Sequence, residues 1–210
     1  MSLDKIRLVS ADLISAAIKR RAIARVLEKN GFLHLGKGGW LGFRGRDAVS
    51  GLSIEGSPSD TYISSFILPT FDELHFVGLS LGRRLVHCSH DSSAERECES
   101  AVAAYRSELL PIRSAADIVK YLDDSKKDGF YSIWTRYLCF LRNGHLEKAH
   151  TYLDEEHQSQ LHASVLRRLP EIGPSVAKGD AVGVAHVLER WEEVSSLIFG
   201  KGEFSAGLSR

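Results

Sequence analysis

Apolar positions change period near the middle of this chain. Leu13, Ala16, Ala17, Ile23, Ala24 and Leu27 fall on one side at helical spacing, with Arg20 interrupting the stripe. They predict a helix capped by Ser10 or Asp12 and stopped by Asn30-Gly31. Short runs of strand-forming residues follow. Phe32–Leu35 and Trp40–Phe43 read as strands around the turn Gly36-Lys37-Gly38-Gly39, where glycine supplies positive φ. Val49–Ile54, Tyr62–Leu68 and Leu74–Leu81 read as three more, separated by Gly56-Ser57-Pro58, Pro69 and Gly82. Short strands with short polar turns predict an antiparallel meander. No long crossover is present to make a parallel sheet.

From about Ser92 the pattern is helical. Helices are expected over Glu95–Leu109, from the capping-box-like Ser114-Ala-Ala-Asp117 through Asp124, over Phe130–Arg142, Leu146–Glu156 and Gln158–Leu169, and from Ala181 to Phe199. Asn143-Gly144, Pro170 and Ala177–Asp180 supply the breaks. The expectation is an α+β fold. Residues 1–86 form a helix plus antiparallel sheet, 92–199 form a helical region packed on or beside that sheet, and a Gly- and Ser-rich tail at 200–210 frays.

Composition changes this picture little. The chain has 210 residues, 43% hydrophobic and 26% charged, enough to bury a core without disulfide or metal. Basic and acidic residues balance at 27 each, which disfavours a dedicated DNA-binding domain. Residues 1–86 carry 12 basic against 8 acidic side chains and the remainder 15 against 19, so a basic groove is allowed only on the N-terminal half. Cys88, Cys98 and Cys139 are odd in number and widely spaced, which points to a reducing compartment. The opening lacks the apolar stretch of a signal peptide and no run reaches the length of a membrane span, so a cytoplasmic protein is expected.

Several groups invite chemistry. His87-Cys88-Ser89-His90-Asp91 is the densest run of metal-capable side chains, and His87, His90 and Asp91 are its candidate ligands. No second pair completes four ligands, and the chain implies no cofactor. Gly78-Leu-Ser80-Leu-Gly82 has the letters of a nucleophile elbow, but Arg83-Arg84-Leu85-Val86 follows where a helix is required. The Gly36–Gly39 loop leads into a strand rather than a helix, so it is a hairpin turn and not a phosphate cradle. Arg83 and Arg84, with Lys37, Arg44 and Arg46 near Trp40, can line a basic surface that takes carboxylate, phosphate or single-stranded nucleic acid. A charged, solvated sheet edge explains the same residues. Trp134, Tyr137, Leu138 and Leu141 sit at helical spacing and belong to the core.

Two resemblances add to this reading. Residues 131–156, with Trp134, Leu138, Gly144, Ala149 and Leu153 in place, resemble one tetratricopeptide-type helical hairpin, which implies protein binding. The opening helix, Gly31-Phe32, the Gly turn, Trp40, Asp47 and the meander resemble small bacterial domains of unknown function. The leading expectation is a non-enzymatic protein-interaction module of bacterial accessory or immunity type, with a protein partner and no membrane. The alternatives are a hydrolase-like, metal-assisted enzyme at the sheet–helix junction, and a nucleic-acid or nucleotide binder using the N-terminal half.

Overall fold

The computed structural model describes residues 17–56, 60–73, 81–88, 93–199 and 204–205. A helix over 17–29 (α1) leads into strands Leu33–Gly36 (β1), Gly39–Arg44 (β2), Ala48–Gly56 (β3), Thr61–Pro69 (β4) and Arg84–Cys88 (β5). The helices Ala94–Glu108 (α2), Ala115–Asp124 (α3), Phe130–Arg142 (α4), Leu146–Tyr152 (α5), Glu155–Ser159 (α6), Ala163–Leu166 (α7), Leu169–Ala177 (α8) and Ala181–Phe199 (α9) follow, then the two-residue strand Phe204–Ser205 (β6). The strand order is β1-β2-β3-β4-β5, antiparallel throughout, with β6 pairing the far end of β2. The arrangement is α+β, an N-terminal helix and antiparallel sheet ahead of a helical half, as the pattern predicts.

The first hairpin closes through a two-residue turn. Lys37 has φ +47° and Gly38 has φ +82°, the left-handed pair that matches the twist of the flanking strands. A side chain at Gly38 would also meet the Ile54 carbonyl oxygen at 2.5 Å. β3 and β4 then pair without a break from Ala48↔Pro69 to Gly56↔Thr61. One face of this ladder receives α2. The hydroxyls of Ser50 and Tyr105 lie 3.0 Å apart, and Gly42 leaves room for the Tyr105 ring. α1 packs alongside, with Ile23, Val26 and Leu27 buried and Cys98 Sγ 3.8 Å from the Ile23 carbonyl oxygen. In the helical half α4 is the central rod. Trp134, Leu138 and Cys139 are fully buried, and Trp134 meets Trp191 of α9 at a ring distance of 6.1 Å.

Four details depart from the sequence pattern. The strand expected over Leu74–Leu81 falls largely outside the described residues, and the fifth strand described is Arg84–Cys88, so His87 and Cys88 belong to the sheet rather than to a connector. The helix expected over Leu146–Glu156 is two helices, because Asp154 accepts from the His157 amide at 2.9 Å and caps a new start. The helix expected over Gln158–Leu169 is broken into the end of α6 and the short α7, and Pro170 does not end it but sits in the first turn of α8, where its missing N–H costs nothing. The tail expected to fray contributes Phe204–Ser205 to the sheet, opposite Arg44 and Phe43.

Candidate functional site

Strands β3 and β4 treat their two ends differently. At one end lie Asp47, in the turn before β3, and Asp72, just after β4. These ends are neighbours, since the Thr70 amide donates to the Asp47 carbonyl at 3.1 Å. Asp47 Oδ1 accepts from Arg142 Nε at 2.9 Å and Oδ2 from the Ala115 amide at 3.2 Å. Arg142 continues to Glu192 of α9 at 3.2 Å. Asp72 Oδ1 pairs with Arg168 at 2.5 Å, Oδ2 accepts from the Tyr131 hydroxyl at 3.2 Å, and the Asp72 carbonyl accepts from Ser195 Oγ at 2.7 Å. Burial, then the Asp72 carboxylate, push the Tyr131 phenol well above its ordinary value, so it stays protonated and donating. These two carboxylates tie the sheet to α3, α4, α8 and α9.

At the other end the polar groups face solvent. Tyr62 and His87 are direct partners across β4 and β5, and their rings stack at 4.7 Å and 19°. His87 Nε2 lies 2.8 Å from Asp60 Oδ1. The Arg84 guanidinium sits 3.9 Å from the centre of the same Tyr62 ring. A bulge makes this grouping. Ile63 pairs with Val86 but Ser64 pairs with Arg84, so Leu85 is an extra residue on β5. In regular register Arg84 would point to the opposite face from Tyr62, and the one-residue shift turns it onto the Tyr62 face. Arg84 and His87 are exposed and Tyr62 is half-buried.

The residues singled out by sequence are therefore split. Arg84 and His87, assigned to different sites, come together on Tyr62. Arg83 turns away and binds Glu108 of α2 through two nitrogens, Nε at 3.0 Å to Oε2 and Nη2 to Oε1, and that hydrogen bonding raises its pKa above the ordinary arginine value against the opposing effect of burial. Lys37 occupies the β1–β2 turn, at the far side of the sheet from β5. Arg44 ends β2, its pKa lowered by burial and partly restored by Glu192. Trp40 is 4% exposed, so it is core and offers no stacking platform. These five do not form one basic surface. His90, Asp91 and Ser80 lie outside the described residues, and among the described residues no three His, Cys, Asp or Glu side chains gather as metal ligands.

Sequence reasoning missed Asp60, Tyr62 and Asp72, and took Asp47 only as part of a resemblance. Each partner lies far along the chain, as with Asp47 and Arg142 at a separation of 95 residues, so no local spacing could signal it. The three thiols are free and buried, and burial pushes that of Cys98 up to about 12. No helix among the described residues is long and apolar enough to cross a membrane. Comparison with protein-family models, with curated proteins and with solved structures finds no match to this chain.

Proposed function

We propose that the chain is a non-enzymatic protein-binding module, of accessory or immunity type, whose contact surface is the exposed Arg84–Tyr62–His87 group. The observation that carries this reading is the bulge at Leu85, which spends a residue to turn Arg84 onto the Tyr62 face. Bulges are features that re-aim a side chain, and arginine and tyrosine are the side chains that protein interfaces favour. The grouping holds the Arg84 guanidinium over the Tyr62 ring, ready for a partner that presents a carboxylate. The Tyr62 ring is already engaged by two groups of its own chain, which favours polar contacts to a protein over stacking of a nucleic-acid base. Free, buried thiols suit action in the cytoplasm.

A tagged pull-down from the source organism's lysate, read by mass spectrometry, tests this. One stoichiometric partner is expected with the wild type and its loss with both Arg84→Ala and Tyr62→Ala. Absence of a partner, or equal capture by both variants, overturns the reading.

A second reading rests on the 2.8 Å His87–Asp60 contact, which is the base and orienting half of a nucleophilic site. It requires hydrolysis of an activated ester that His87→Gln abolishes. Activity unchanged in that variant rejects it.

A further inference from the structure

Residues 1–86 carry a surplus of four positive charges, 12 basic against 8 acidic. An equal surplus sits on α1 alone, where Lys19, Arg20, Arg21, Arg25 and Lys29 stand against the single acid Glu28. The helix has two distinct sides. Ile23, Val26 and Leu27 are buried against the core. Arg21, Arg25 and Lys29 recur at every fourth residue on the other side, and all three are exposed. The helical rise sets neighbours in this row about 6 Å apart, so the row is about 12 Å long.

The row is unrelieved. Among the described residues none of the three makes a hydrogen bond or an ion pair, not even with Glu28. Arginines on other elements are matched to carboxylates, as with Arg83 and Glu108, Arg136 and Asp123, and Arg168 and Asp72. Like charges four residues apart destabilise a helix, and this row contains two such pairs. The negative end of the helix dipole accounts for Lys29, in the last turn, but not for the two arginines.

We propose that this row is a contact for the phosphodiester backbone of a nucleic acid. Neighbouring phosphates along a strand are spaced much as these three cations are, and backbone contacts need no recognition of bases. A helix that lies on a membrane buries its apolar side in lipid. Here that side is taken up by the core, and Ile18 is the one large apolar side chain left exposed among the described residues of α1. A folded protein offers carboxylates at irregular spacing, whereas a row at constant spacing matches a polymer with one charge per repeat. This inference does not rest on the function proposed for the Arg84–Tyr62–His87 group.

The test is fluorescence anisotropy on the full chain with a labelled duplex DNA and with an RNA duplex of the same sequence. Both should bind at low salt, and three phosphate contacts should weaken binding about 40-fold between 50 and 200 mM salt. Arg21→Gln/Arg25→Gln/Lys29→Gln should lower affinity about 10-fold or more at low salt, with an unchanged or raised melting temperature. Arg25→Gln alone should reduce the slope of log affinity against log salt by about 1. Arg84→Ala should bind like the wild type. Failure of both duplexes to bind at about 100 µM protein in low salt overturns the proposal. So does undiminished binding by the triple variant, and so does equal affinity for polyglutamate or for phosphatidylserine vesicles.

Discussion

Asp72 and Arg168 at one end of the β3–β4 ladder, and Asp60 and His87 at the other, are both acid–base pairs within hydrogen-bonding distance. Their surroundings make them different objects. Asp72 is 0% and Arg168 11% exposed, whereas His87 and Asp60 are 47% and 40% exposed. Water screens the second pair and supplies either partner with an alternative, so its net contribution to stability is about 0–1 kcal/mol. The first pair is shut off from water. Arg168 also reaches Glu73 at 3.2 Å and Asp72 also accepts from the Tyr131 hydroxyl, but removing either member leaves the other a buried charge that has lost its closest opposite charge. The contrast teaches that burial, not pairing, decides what an ion pair does here: the buried pair holds the helices to the sheet, and the exposed pair adds little to the fold.

The largest effect that can break this comparison is at Arg168. Arg168→Ala should lower the unfolding free energy by about 3–5 kcal/mol, read by urea denaturation, because it takes the paired guanidinium away from a buried carboxylate. The double variant Arg168→Ala/Asp72→Asn should cost clearly less than the sum of the single variants, since the buried charge goes together with its partner. A loss below about 1 kcal/mol for Arg168→Ala would put this pair in the same class as the exposed one. Asp47→Ala comes next, at about 2 kcal/mol, because it removes an arginine partner and the acceptor for the first amide of α3.

A smaller effect sharpens the comparison through pH. Ser114 and Asp117 form a reciprocal cap at the start of α3. Burial pushes Asp117 up, but the Ser114 hydroxyl and the Arg113 and Ser114 amides outweigh it, so the folded pKa is lowered. Its contribution is complete above the unfolded aspartate value of about 3.9 and is lost as pH falls through the folded value. Asp117→Ala should cost about 1 kcal/mol at neutral pH. Its deficit against the wild type should shrink on acidification below about pH 4, followed by thermal melts. A deficit that persists unchanged in acid would show that the side chain acts through packing rather than charge.

How much of this was legible follows from the range of each interaction. The Lys37-Gly38 turn, the Ser114–Asp117 cap and the Phe130–Arg142 helix are written in residues within a few positions of one another, and all three stand as read. Pro170 was ambiguous because proline both stops a helix and starts one, and only the packing of α8 decides between the two. The candidate surface was half legible. Arg84 and His87 drew notice as residue types, but Tyr62 precedes them by more than 20 positions and the bulge at Leu85 has no sequence mark. Trp40 was misread for the same reason. Basic neighbours along the chain suggested a surface, yet its strand partner Leu52 is buried beside it.

The smallest expected stability effect is at the exposed end, and it separates fold from function most directly. Arg84→Ala and His87→Ala each remove a group that water can replace, so each should change the unfolding free energy by no more than about 0.5–1 kcal/mol. Removal of Arg84 also gives up its contact with the Tyr62 ring, worth about 0.5–1 kcal/mol at an exposed site, which sets the upper end of that range. Both variants should therefore keep the native melting curve while partner capture is lost. If either one melts like Arg168→Ala, the exposed grouping is part of the scaffold, and the bulge that builds it serves the sheet rather than a partner.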